Sequence, residues 1–74
     1  MAIRFISVNI ERDKHLDRIE KLLMESNADL VCLQEVMQYD VNRLAKTQGY
    51  HDFFSATTRH KAGDDNWEGI LILS

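Results

Sequence analysis

The chain has 74 residues, 9 Lys+Arg against 12 Asp+Glu, a single Cys, no Pro and 45% apolar residues. A chain of this size buries only about 60% of the surface its unfolded form exposes, and one Cys excludes an internal disulfide, so stability rests on a small core, a metal or a partner. The net charge of −3 excludes a strongly basic nucleic-acid tail, but not an anionic substrate, because a metal can supply positive charge.

Residues 3–8, Ile-Arg-Phe-Ile-Ser-Val, are rich in β-branched and aromatic types and predict a strand that enters a loop at Asn9–Lys14. The N-terminus reaches this charged stretch too soon for a secretory signal, and no apolar run approaches the ~18–20 residues of a membrane span, so a cytoplasmic location is expected. Asp13 is the expected N-cap of a helix with Leu16, Ile19, Leu22 and Leu23 on its apolar face and an Asp17–Lys21 pair on its wet face. Asn27 ends it, since Asn tolerates the left-handed conformation. Leu30-Val31-Cys32-Leu33 is an apolar run without alternation, which predicts a strand buried on both faces and closes a βαβ unit with parallel strands. A short helix over Asp40–Gln48 presents Val41, Leu44 and Ala45, with Gly49 past its end. Tyr50–Ala56 and Trp67–Leu73 read as a hairpin joined by Thr57–Asn66, with a turn at Gly63-Asp64-Asp65. The last apolar run, ending in Ser74, also lacks alternation and asks for cover on both faces. Met24, Cys32 and Met37 are expected to be packing residues.

In parallel α/β sheets ligands bind beyond the carboxyl ends of the strands. Asn9 follows the first strand and Glu35 the second, so parallel pairing brings them to one edge, with Glu11 two residues beyond Asn9. A carboxylate beside a carboxamide suits a hard cation such as Mg²⁺, which takes oxygen ligands and is held by one or two carboxylates plus substrate phosphate. A solvated strand end and a turn-forming Asn would give the same spacing.

Asn9 in Phe-Ile-Ser-Val-Asn-Ile, the segment Ala28-Asp29-Leu30-Val31-Cys32-Leu33-Gln34-Glu35-Val36 and the closing Gly69-Ile70-Leu71-Ile72-Leu73-Ser74 together resemble the first motifs of the endonuclease/exonuclease/phosphatase (DNase I-like) family. The resemblance runs in order along the whole chain. It implies an α/β fold, the N-terminal part of a four-layer α/β sandwich with element order β-α-β-α-β-β, residues 1–74 forming a single partial domain. It implies a phosphoesterase, nuclease or phosphatase, that hydrolyses phosphate esters by metal-assisted water attack. The substrate would be nucleic acid or a small phosphorylated molecule, and the cofactor Mg²⁺, with Mn²⁺ as the alternative. By carry-over, Glu35 is a metal ligand and catalytic, Asn9 is catalytic, positioning the scissile phosphate or attacking water, and belongs with Glu35 to the metal site, which Glu11 supports.

The family's later Asp-x-Asn and Ser-Asp-His motifs have no counterpart here, and His15, His51 and His60 match no catalytic position of the family. An N-terminal fragment of such an enzyme, inactive alone, is therefore expected, able to self-associate or to pair with the missing C-terminal part. In the loop before Trp67, Arg59 and Lys61 are candidate phosphate contacts. The rival expectations are a non-enzymatic α/β module that associates through its open sheet edge, and a small doubly wound domain with residues 50–74 as β-α-β.

Overall fold

Alternation governs the first strand: Ile6 and Val8 turn toward the core while Phe5, Ser7 and Asn9 face outward. In the computed structural model, which describes residues 3–59 and 67–74, this strand, β1 (Phe5–Asn9), is followed by α1 (Leu16–Ser26), β2 (Leu30–Met37), a 3-10 turn (Gln38–Asp40), α2 (Val41–Lys46), β3 (Asp52–Arg59) and β4 (Trp67–Leu73). The predicted order β-α-β-α-β-β holds. The sheet runs β1-β2-β4-β3, with β1 and β2 parallel and β4 antiparallel to both its neighbours. Strands β3 and β4 thus pair antiparallel as a hairpin does, and not in the β-α-β arrangement of a doubly wound domain.

The helix α1 buries Ile19 and Leu23 and ends, as expected, at Asn27 in the left-handed conformation, φ 51°. Its start differs from expectation. His15, not Asp13, occupies the N-cap and no side chain caps the helix, because residues 10–12 are drawn onto β2 by the bonds Ile10 N–Gln34 O (3.0 Å) and Arg12 N–Glu35 O (2.9 Å). Asp17 pairs with Arg43 of α2 at 2.9 Å and not with Lys21, which lies 3.9 Å from Glu25 instead. Arg43 also reaches Glu20 at 2.6 Å. A single guanidinium nitrogen, Nη2, donates to both carboxylates.

The predicted second helix is shorter, Val41–Lys46, and buries Val41, Leu44 and Ala45 as expected. The backbone closes behind it through Tyr50 N–Ala45 O at 2.9 Å, around Gly49 at φ 67°. Strand β2 does not stop at Leu33 but runs to Met37, with a register shift between Leu33 and Val36. Strand β3 begins and ends later than predicted, and its pairing with β4 continues through Thr58↔Glu68 and Arg59↔Trp67. The Gly63-Asp64-Asp65 turn, His60 and Lys61 lie outside the described residues.

The core lies between the helices and one sheet face, around Leu23, Val31, Leu33, Val36, Leu44, Leu71 and Leu73, all fully buried. Two-sided burial of β2 and β4 is not observed among the described residues. Leu71 and Leu73 are buried while Ile70 and Ile72 are exposed, and Leu30 and Cys32 are only half-buried. Phe5 and Phe53, 58% and 65% exposed, complete an apolar outer face. Met37 packs as expected, but Met24 is 60% exposed.

Candidate functional site

The parallel register sets Asn9 opposite Gln34, so the ends of β1 and β2 share one edge. The irregularity in β2 falls here: Glu35 takes φ 56°, turning its carboxylate toward β1. The Asn9 amide nitrogen, Nδ2, donates to Glu35 Oε2. Asn9 Oδ1 accepts the Glu11 backbone N–H at 3.0 Å. That second bond settles which way the carboxamide faces, since the N–H requires the oxygen. Asn9 therefore holds the Glu35 carboxylate and presents it no oxygen. Glu11 lies in the same turn, but its own carboxylate is engaged with His15 Nε2 at 3.2 Å. His15, expected to be a bystander, thus touches one candidate residue.

Backbone strain concentrates at this edge. Glu11 (φ 53°), Arg12 (φ 63°) and Glu35 (φ 56°) are all non-glycine residues in the left-handed region, each at a cost of about 1–2 kcal/mol. The bonds from Ile10 and Arg12 to β2 hold them there. Gln34, distinguished in the sequence only as part of Leu-Gln-Glu, contributes from the outer face. Its Nε2 lies 3.0 Å from Ser7 Oγ, 3.2 Å from Cys32 O and 3.3 Å from Cys32 Sγ, tying β1 to β2 beside Glu35. Cys32 is accordingly a partner of this polar cluster as well as a packing residue.

Two further groups follow β2. Tyr39 is 52% exposed, its phenol pushed to a higher pKa by desolvation and then by Asp13 and Asp40, with Arg12 opposing. Asp40 is buried with Oδ2 lacking a hydrogen-bond partner among the described residues. Burial, and then Asp13, raise its pKa above the ordinary 3.8, against the pull of Arg43. A carboxyl whose folded-state pKa is raised stays protonated to higher pH than in the unfolded chain, so stability falls as pH rises from about 3.8 through the folded value. Asp40→Asn is expected to raise the thermal midpoint at pH 7, the gain vanishing below about pH 3.8, as melting curves across pH would read.

Among the described residues no group of three or more His, Cys, Asp and Glu could hold a metal ion. The Glu35 carboxylate by itself fits a cation that binds through one carboxylate and completes its shell with water and substrate phosphate, as Mg²⁺ does. Trp67 is half-buried where β4 begins, opposite Arg59; Lys61 lies outside the described residues. No described helix is long and apolar enough to cross a membrane.

Comparison with solved structures gives the same fold in a functionally unknown conserved protein from Enterococcus faecalis V583. It superposes with a TM-score of 0.69 at 23% identity, over 96% of this chain and 31% of that one. The present chain thus spans about a third of that protein's length. Among curated proteins, nothing matches. The sequence profile of the Endonuclease/Exonuclease/phosphatase family, whose members are phosphoesterases and generally require a divalent metal, matches residues 6–74. With the Asn9–Glu35 pair at the shared edge of two parallel strands and the profile running to the last residue, this chain belongs to the endonuclease/exonuclease/phosphatase family.

Proposed function

We propose that the chain carries the metal-holding half of a Mg²⁺-dependent phosphoesterase, with Glu35 as the protein ligand and Asn9 as its positioning residue. The observation that carries this reading is the hydrogen bond from Asn9 Nδ2 to Glu35 Oε2, made across a backbone irregularity that aims the carboxylate at β1. The bond leaves Glu35 Oε1 for a cation and restrains the side chain in one orientation. Glu11 braces the arrangement through its backbone N–H, while its carboxylate, paired with His15, stands in reserve as an outer donor. When bound, a divalent cation polarises a phosphoryl oxygen and offsets the charge that develops there.

None of the described side chains at this edge is placed to take a proton from water, since Asn9 and Glu35 engage each other and Glu11 engages His15. The unit is therefore part of a larger domain and does not turn over alone, in keeping with its covering 31% of the solved relative. Calorimetric titration tests the reading: Mg²⁺ or Mn²⁺ is expected to bind the chain, and Glu35→Gln to abolish the binding heat. Equal binding by the variant would refute the assignment of Glu35. Metal-dependent cleavage of a phosphodiester by the purified chain, lost in Glu35→Ala, would refute the claim of inactivity.

The sheet face that the described residues leave uncovered, with Phe5, Phe53, Ile70 and Ile72 exposed, favours a second reading: a module that works by association, with another copy or with the rest of the fold. A monodisperse folded monomer in sedimentation, with residues 69–73 protected from exchange, would count against it.

A further inference from the structure

Two consecutive residues of β2 reach two residues on the same face of β1. Gln34 Nε2 lies 3.0 Å from Ser7 Oγ, and the Glu35 carboxylate accepts from Asn9 Nδ2. Regular pleating does not allow this, because neighbouring residues of a strand turn to opposite faces. Val31 and Leu33 are fully buried on the core face, so unbroken alternation would send Glu35 there as well, an ionised carboxylate among aliphatic side chains. The irregularity of β2 prevents it. Leu33 pairs with Leu71 and Val36 with Gly69, so Gln34 and Glu35 together oppose Ile70, and Glu35 absorbs the extra residue at φ 56°.

The fastening of Gln34 fixes the irregularity at the residue that follows it. Its side-chain nitrogen has three acceptors, Ser7 Oγ at 3.0 Å, Cys32 O at 3.2 Å and Cys32 Sγ at 3.3 Å. The Cys32 carbonyl can only accept, so the nitrogen of the carboxamide and not its oxygen faces it. The Gln34 backbone carbonyl takes the Ile10 N–H at 3.0 Å. Gln34 is thus held by side chain and main chain alike, opposite Asn9 in the parallel register and one residue before the left-handed turn.

We propose that Gln34 is the positioning residue that sets the placement of the Glu35 carboxylate: its hold on Ser7 and Cys32 keeps it in the regular outward position of β2, which leaves Glu35 to take the left-handed conformation and meet Asn9. That Glu35 then receives a cation rests on the reading given under the proposed function; its placement by Gln34 does not.

The test compares Gln34→Met with the wild type in the whole chain. Methionine keeps the length and suits a face that carries Ile70 and Ile72, but it donates no hydrogen bond. In EDTA, hydrogen exchange of the Asn9 side-chain amide, read by NMR, is expected to speed up about tenfold, while the other backbone amides of β1 and β2 exchange as in the wild type. Ser7→Ala should act in the same direction and add nothing to Gln34→Met, and Ser7→Thr, which keeps the hydroxyl, should leave the exchange unchanged. By calorimetry, Gln34→Met should also bind Mg²⁺ about tenfold more weakly. Unchanged exchange at Asn9 would overturn the proposal, and so would an equal rise throughout β1 and β2, since Gln34 would then only join strands. Should Gln34→Met fail to fold, Ser7→Ala carries the same test. A chain that shows the Asn9 response in EDTA but takes up no Mg²⁺ would uphold the placement and refute Glu35 as a metal ligand.

Discussion

Gly69→Ala is expected to lower stability by about 3 kcal/mol or to unfold the chain, as urea midpoints would read. Gly69 is buried in β4, an interior strand of the sheet, paired with Val36 of β2 and Ala56 of β3. A Cβ at this position would stand 2.1 Å from Ser55 O, 2.8 Å from Ser55 C and 2.9 Å from Ala56 Cα. All three are backbone atoms, so no rotamer change relieves the overlap and β3 must move away from β4. The matched control is Gly49→Ala. Nothing lies within 4 Å of a Cβ there, and only the φ of 67° opposes it, so the cost should be about 1 kcal/mol. Equal effects at the two glycines would mean that close approach of strands is not what selects Gly69. The consequence reaches the site, because the pairing of Gly69 with Val36 resumes the β2 ladder directly after Glu35.

Asn9→Asp should turn the Asn9–Glu35 hydrogen bond into a repulsion. The substitution preserves shape and keeps an oxygen to accept the Glu11 N–H, but replaces the donor facing Glu35 by a second carboxylate. Two carboxylates in contact cannot both ionise cheaply, so one is held protonated to higher pH. The folded state then loses stability as pH rises, by about 1–3 kcal/mol at pH 8 in EDTA, and recovers it toward pH 4. Mg²⁺ reverses the sign: the added charge strengthens cation binding, and saturating metal should raise the variant's melting temperature more than the wild type's. Circular dichroism melts at both pH values, with and without Mg²⁺, check this. A variant as stable as the wild type in EDTA at pH 8 would show that Asn9 does not face Glu35.

Much of this architecture is written in local patterns. Leu16, Ile19 and Leu23 recur at helical spacing, Asn27 supplies a left-handed stop, and Val41, Leu44 and Ala45 fall on one face; each was readable and each is observed. The meeting of Asn9 and Glu35 followed from chain order alone, since a strand, a helix and a strand in succession pair in parallel and leave both carboxyl ends at one edge. Where expectation and structure part, a distant neighbour intervenes. Asp13 would cap α1 by its residue type, yet the bonds from Ile10 and Arg12 to β2 shift the helix start to His15. Asp17 would pair with Lys21 by its spacing, yet Arg43 arrives from α2. The apolar runs in β2 and β4 could not disclose that only one sheet face is covered by the described residues, because burial depends on what else packs there.

The order of the elements, the parallel start of the sheet and the edge at which Asn9 and Glu35 meet are legible in the chain, because hydrophobic period, capping chemistry and strand connectivity are properties of short segments. The orientation of the Asn9 carboxamide against Glu35, the left-handed backbone of Glu11, Arg12 and Glu35 and the tie of β1 to β2 through Gln34 depend on how the folded chain comes together. Those features arise from hydrogen bonds that close only after strands 26 residues apart in the chain have come together, and no local pattern encodes which donor will then face which acceptor.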